Sequence, residues 1–268
     1  MWSGPPVPDD AALAFRDAAR HEGLKATAVH HGYLANLASP KAPILARSRT
    51  AFLDELGRAE KLGVDHLIFH PGAHMESGLE EGLRVLVESL DAAFRATPGL
   101  KVRVLLENSA GQGTSVGSDF ASLATVLNRL AEPDRAGVAI DTCHLFASGV
   151  EFRSPESYGA MVDRLEAELG VARVHAFHLN DAKADLGSHL DRHENIGRGQ
   201  IGVDGFRPFV NDARWSTRPG YLETPLADDE YTAYVEDLAT LRRLVGPSRD
   251  AGKPAGRSSA ARRRPTPK

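Results

Sequence analysis

Six apolar runs in this chain of 268 residues each end in a side chain able to hold a metal ion. His30 lies in "KATAVHH" (25–31), His70 in "DHLIFH" (65–70) and Glu107 in "KVRVLLEN" (101–108). Asp141 closes "AGVAID" (136–141), His178 lies in "ARVHAFHLND" (172–181) and Glu223 in "GYLET" (220–224). Three more residues of the same types lie close by. His144 follows Asp141 within "DTCHLFASG" (141–149), and "DRH" sets Asp191 and His193 two apart. In an extended backbone such a pair points to one side, so Asp191 and His193 can share an ion with His144 as third ligand. "DTCH" then reads as a strand end that serves two neighbouring ions, Asp141 one and His144 the next. Cys143 is expected to point away from both. Five histidines and four carboxylates exceed the roughly four ligands of a single zinc. Three ions with one or two shared carboxylates account for the nine. Mixed nitrogen and oxygen donors suit Zn²⁺ or Mn²⁺.

The elements that must position these residues follow from the pattern around them. The runs are short, bounded by turn residues and mostly aliphatic, as for parallel strands buried on both faces. Helix patterns separate them, as in 39–63, 78–99, "SDFASLATVLNRLAEP" and "SPESYGAMVDRLEAELG", with Ser or Asp at the start and Gly or Pro at the stop. The strand-end residues recur at intervals of 40, 37, 34, 37 and 45. This steady βα alternation predicts an α/β fold with a parallel sheet, and its regularity favours a (β/α) barrel. In such barrels chemistry sits at the C-terminal strand ends. No GxGxxG follows the first strand and GxxxxGKS is absent, so no nucleotide cofactor is expected. "SAGQG" after Glu107 reads as a turn. His21, His31, His66 and His175 are read as structural, while His74 and His189 lie in loops beside the site. Asp181 and Lys183 read either as supports of the site or as ordinary loop charges.

The composition fits one domain with a tail. The chain is 42% hydrophobic with a net charge of −4. Residues 246–268 hold seven Lys or Arg and one Asp, a net of +6, which leaves −10 on the rest. The expected division is a folded domain over 1–245 and a disordered basic tail over 246–268. The tail serves solubility or touches an anionic polymer such as DNA. One cysteine suits a reducing compartment. No apolar stretch approaches the roughly 18 residues of a membrane span, and the first residues lack a secretory pattern. A cytoplasmic protein is expected, without membrane contact.

"FHPGAH" (69–74), "LLENSAGQG" (105–113), "DTCH" (141–144), "FHLNDAK" (177–183) and "DRHENIGRGQIG" (191–202) resemble the endonuclease IV family of apurinic/apyrimidinic (AP) endonucleases. "HHGYLANL" (30–37) resembles it less distinctively, and the match runs from about Trp2 to about Gly246. The resemblance implies a (β/α)₈ TIM barrel of the xylose-isomerase-like kind with three zinc ions. The implied partner is double-stranded DNA containing abasic sites, nicked on the 5′ side to leave a 3′-hydroxyl. Removal of 3′ blocking groups is implied too, by a protein that is a monomer when complete. Carried over, the pattern gives one ion His30, His70 and Glu107. The second takes Glu107 as a bridge with Asp141, His178 and Glu223, and the third takes His144, Asp191 and His193. Glu107 would set the metal spacing and so position the attacking hydroxide. Tyr33 and Leu34 stand where the family inserts a Tyr-Leu pair beside the abasic nucleotide. Closely spaced cations neutralise a phosphodiester, supply hydroxide near neutral pH and stabilise the leaving alkoxide. An abasic nucleotide has no base to stack, so extruding it costs less than flipping an intact one.

The N-terminus departs from the family. Members begin with a strand carrying Gly-x-His-x-Ser, a helix, a second strand and a DNA-entering loop, and the motif is absent here. About six of eight strands are counted, so an N-terminally truncated barrel is expected, with barrel closure and DNA engagement affected. Two other functions compete. One is a metal-dependent sugar isomerase or epimerase of the related barrels, which use one or two ions; His144, Asp191 and His193 argue for a third. The other is an inactive remnant that binds damaged DNA.

Overall fold

The computed structural model describes residues 2, 4–226 and 231–246. All but one residue of the predicted basic tail, 247–268, lies outside them. Six parallel strands form one sheet in spatial order β1 (Ala28–His30), β2 (His66–Phe69), β3 (Arg103–Glu107), β4 (Ala136–Asp141), β5 (Val174–His178) and β8 (Gly220–Tyr221). β6 (Asp181–Ala182) and β7 (His193–Glu194) form a separate antiparallel pair. The connections are helical: α2 (Ala42–Leu62), α3 (Leu79–Ala96), α4 (Phe120–Arg129), α5 (Thr142–Ala147), α6 (Pro155–Glu168) and α7 (Gly202–Asn211). α1 (Asp9–His21) precedes β1 and α8 (Thr232–Leu244) follows β8. Among the described residues, β1 and β8 each pair on one side only. The sheet is the incomplete barrel that six strands predict.

The predicted helices form, with local reasons that can be named. α6 starts at a reciprocal capping box between Ser154 and Ser157, with Pro155 in the first turn. α4 is capped by Asp119, whose side chain accepts the Ser122 N–H at 2.7 Å. α3 puts Leu83, Leu86, Leu90 and Phe94 on its buried side, the three-to-four spacing of an amphipathic helix.

Strand alternation divides the sheet into two faces. Leu67, Phe69, Val104, Leu106, Val138, Ile140 and Phe177 join the large core shared with the helices. Ile68, Leu105, Ala139 and Ala176 form a separate small cluster on the other, inner face, with Ala28 and Tyr221 against it. Following that inner row up each strand leads to His30, His70, Glu107, Asp141, His178 and Glu223. Following it down leads to His66, Arg103 and His175. The β4–β5 register skips one residue, pairing Val138 with Val174 and Ala139 with Ala176, so His175 is the bulged residue. Gly137 makes room for it, since a Cβ there would come within 2.3 Å of the His175 ring.

One local expectation is corrected. "DTCH" is a strand end only as far as Asp141; Thr142 begins α5, so His144 sits on the first turn of a helix. Asp141 caps that helix, its Oδ1 accepting the His144 N–H at 2.7 Å. A side chain that satisfies a free helix N–H lets strand pass directly into helix, with no intervening turn to read.

Candidate metal centre

Glu107 lies at the middle of the upper ring and is fully buried. Its two oxygens face different histidines. Oε2 is 2.8 Å from His30 Nε2 and 3.5 Å from His70 Nδ1. Oε1 is 2.6 Å from His178 Nδ1 and 3.6 Å from His144 Nδ1. Glu223 Oε2 lies 3.2 Å from His178 Nδ1, and Asp141 Oδ2 lies 4.0 Å from the same atom. On the far side, Asp191 Oδ1 is 3.2 Å from His144 Nε2 and 3.4 Å from His193 Nε2. Asp141 Oδ2 lies 3.7 Å from His193 Nε2, which links the two sides. All nine residues singled out in the sequence are brought together. Potential donor atoms of His30, Glu107, His178 and Glu223 fall within 4.8 Å of one another, as do those of His70, Glu107 and His144, and those of His144, Asp191 and His193.

Backbone carbonyls fix the histidine tautomers. His30 Nδ1 donates to His31 O at 2.8 Å, His144 Nδ1 to Asn108 O at 2.9 Å and His193 Nδ1 to Glu223 O at 3.1 Å. A carbonyl can only accept, so those nitrogens carry the proton, and in the neutral ring each Nε2 keeps its lone pair. His144 Nε2 and His193 Nε2 are buried without a hydrogen bond. A buried polar atom left unmatched costs about 1–3 kcal/mol. Two such lone pairs aimed at one carboxylate oxygen are satisfied by a cation between them, so the residues fit a metal ion.

Electrostatics give the same picture. Burial alone would raise the Glu107 carboxyl, yet His178, His30 and His70 hold it well below the usual range. Against burial, Glu107, Glu223 and Asp141 push His178 up to about 9. His144 also rises despite burial, through Asp141, Asp191 and Glu107. Burial raises Asp191, but His144, His193 and His70 bring it down to about 2. Burial raises Glu223. This mutual dependence of carboxylates and imidazoles is typical of a functional site.

Two asparagines that the sequence reading missed hold two of the candidate ligands in place. Asn180 Nδ2 donates to Asp141 Oδ2 at 2.6 Å, and Asn180 Oδ1 accepts the Glu223 N–H at 2.8 Å. Asn108 Oδ1 accepts the Asp141 N–H at 2.7 Å, and its Nδ2 donates to Asp141 O at 3.2 Å. The available signal was position alone: each lies one or two residues past a strand-end ligand. Cys143 is a second correction. Its sulfur lies with the donor atoms of Asp141 and His193 in a group within 4.8 Å, not turned away from them. It is nonetheless a poor ligand. Burial and the nearby Asp141 push its thiol pKa upward, and it contacts Arg192 O at 3.5 Å.

The other histidines have separate surroundings. His31 packs edge-on against Phe52, and burial lowers it to about 4. His21 ends α1 and is exposed. His74 accepts the Gly78 N–H, and His189 is hydrogen-bonded to Ala110 O. Lys183 is exposed, whereas Asp181 on β6 is fully buried, its carboxylate enclosed by the turn at 197–202. Tyr33 is 85% exposed in the loop after β1, with Leu34 beside it half-buried. A cavity of about 270 Å³ adjoins the centre between His70, His144, Asp191 and the loop carrying Ser109 and Gln112.

Comparison with known proteins points one way. Residues 2–244 match the family model described as a xylose isomerase-like TIM barrel. A protein of Trichlorobacter lovleyi named "Probable endonuclease 4" is 41% identical over 244 residues, covering 91% of this chain and 86% of that one. The crystal structure of endonuclease IV from Thermus thermophilus superposes with a TM-score of 0.77 at 28% identity, covering 91% of this chain and 84% of that one. A D-tagatose 3-epimerase-like protein shares the fold at a TM-score of 0.67 and 14% identity, covering 89% and 83% of the two chains.

Proposed function

The chain belongs to the xylose isomerase-like TIM-barrel family and, within it, to the endonuclease IV family, and on that premise we propose that it is a zinc-dependent AP endonuclease. It cuts duplex DNA on the 5′ side of an abasic site, leaves a 3′-hydroxyl and removes 3′ blocking groups. The observation that carries this reading is the double-sided environment of Glu107, two histidines on each carboxylate oxygen.

The residues would hold three ions. His30, His70 and Glu107 would hold the first. Glu107, Asp141, His178 and Glu223 would hold the second, and His144, Asp191 and His193 the third. When bound, the ions supply Lewis-acid neutralisation of the phosphodiester and bring the pKa of water toward neutrality. Glu107 fixes the distance between the first two sets of ligands. Asn180 and Asn108 keep Asp141 in register with them. Among the described residues, no aromatic side chain other than the imidazoles of His70 and His144 lines the adjoining cavity, so it suits a sugar-phosphate lacking its base. Exposed Tyr33, with Leu34 beside it, would fill the space that an extruded abasic nucleotide leaves in the helix. The single buried cysteine fits a reducing, cytoplasmic setting. Among the described residues no helix is long and apolar enough to cross a membrane.

The test is incision of a duplex oligonucleotide carrying one synthetic abasic site. Expected is a cut on its 5′ side, a product that a polymerase extends, and loss of cutting with a chelator. Turnover of a ketose with no incision would move the protein to the isomerase branch. Binding of the abasic duplex without incision, zinc present, would make it a damage-binding protein.

A further inference from the structure

Asp181 is a fully buried carboxylate with no cation within ion-pair distance among the described residues. Backbone amides take the place of one. Its Oδ2 accepts the N–H of Gly197 at 2.8 Å and of Gly199 at 3.1 Å. Its Oδ1 accepts the N–H of Ile201 at 2.9 Å and of Ala182 at 2.8 Å, and the Gly202 N–H approaches both oxygens at 3.3–3.4 Å. The last of these amides opens α7, so the positive end of that helix also faces the carboxylate. Converging backbone amides of this kind make an anion site; here the occupant is a side chain of the protein itself. Gly199 is required for the approach, since a Cβ there would lie 2.4 Å from Ala182 O and 2.5 Å from Asp181 Oδ1.

The location of this cradle gives it a consequence for the metal centre. Asp181 pairs with Glu194 and Ala182 with His193 in the β6–β7 ribbon. Gln200 N donates to Ala182 O at 2.7 Å, closing the same turn. Asp191 and His193 thus hang on an irregular excursion whose return limb is held by the Asp181 carboxylate. His144, the third member of their group, is fixed independently by α5. We propose that Asp181 is the positioning residue for the third ion, setting Asp191 and His193 against His144 without touching the ion.

This inference rests on the three-ion reading, and its tests separate the two. Asp181→Asn keeps the shape but replaces one accepting oxygen with a donor aimed at N–H groups. Loss of a group that orients a metal ligand costs typically 10–100-fold in metal affinity or activity. Expected is a protein with a cooperative melt that loses one of three zinc equivalents to a chelator concentration at which the parent keeps all three. Its nicking should fall by that factor and recover with added zinc, while Lys183→Ala behaves as the parent. Parent-like zinc retention would overturn the proposal, and so would loss of every equivalent in step with unfolding.

Should Asp181→Asn not fold, hydrogen exchange on the parent decides. The amides of Gly197, Gly199, Ile201 and Gly202 should exchange as slowly as those of β5, and exchange at open-loop rates overturns the cradle. A parent that binds one zinc or less would sink the three-ion reading, and with it the role proposed for Asp181, even if those amides prove protected.

Discussion

His175 and His178 stand three residues apart on one strand, yet they belong to opposite worlds. His178 is at the upper end of the inner face, among Glu107, Glu223 and Asp141, and they raise it to about 9 against its burial. His175 is at the lower end. Burial, then Arg103 and Arg218, lower it to about 4. Arg103 Nη1 lies 2.8–2.9 Å from the His175 ring nitrogens, and His66 Nδ1 is 3.4 Å from the Tyr221 hydroxyl. The lower ring is a packed floor in which a neutral imidazole accepts from a guanidinium. The upper ring is a set of carboxylates and imidazoles whose unshared lone pairs converge. The same residue type becomes a structural acceptor or a candidate metal ligand according to the sign of its neighbours.

Substitution should separate the two rings. The largest effect is expected for Glu107→Gln, which keeps shape but removes the charge facing four histidines. Incision should fall at least about a hundredfold, comparable to the loss of an electrostatic stabiliser, with the melt still cooperative. Near-parental activity would remove Glu107 from the centre. A smaller and different effect is expected at the floor. Arg103→Gln should lower the melting temperature by a few degrees, the scale of about 1 kcal/mol in a domain of this size, and leave incision within about threefold. A hundredfold loss there would mean that the two ends are not separable.

The smallest effect concerns pH. The folded chain keeps His175 neutral down to about pH 4, whereas an unfolded histidine takes up its proton near 6.5. Between those values the unfolded state binds the extra proton. The contribution of His175 to stability is therefore complete above pH 6.5 and is withdrawn as pH falls toward 4. His175→Gln should flatten the decline in melting temperature across that window. An unchanged slope would show that burial beside Arg103 and Arg218 does not hold this histidine neutral across the window.

The upper ring was legible in the sequence because short parallel strands leave little freedom. Alternation sends every second residue inward, and the last inward residue of each strand lies at the mouth. His30, Glu107 and Asp141 could be read from that rule alone, and the one-sided pairing of β1 and β8 among the described residues from the count of strands. The supports were not legible. Asn108 and Asn180 look like ordinary loop residues and Asp181 reads equally as a support or a loop charge, because their roles depend on which distant backbone groups come within reach. Asp237 on α8 is a further case, accepting from Thr224 Oγ1, Asn195 Nδ2 and the Ile196 N–H. Nothing in "YVEDLA" announces that this acid faces inward. The start of α5 at Thr142 was hidden for a related reason, because one aspartate both ends β4 and caps the helix.

The central claim is that nine side chains at one end of this sheet hold three metal ions. Elemental analysis of the purified chain tests it directly. The account predicts close to three equivalents of zinc per chain, with incision falling as they are removed and returning as they are restored. A content at or below one equivalent, with no gain in incision on adding zinc or manganese, would contradict it.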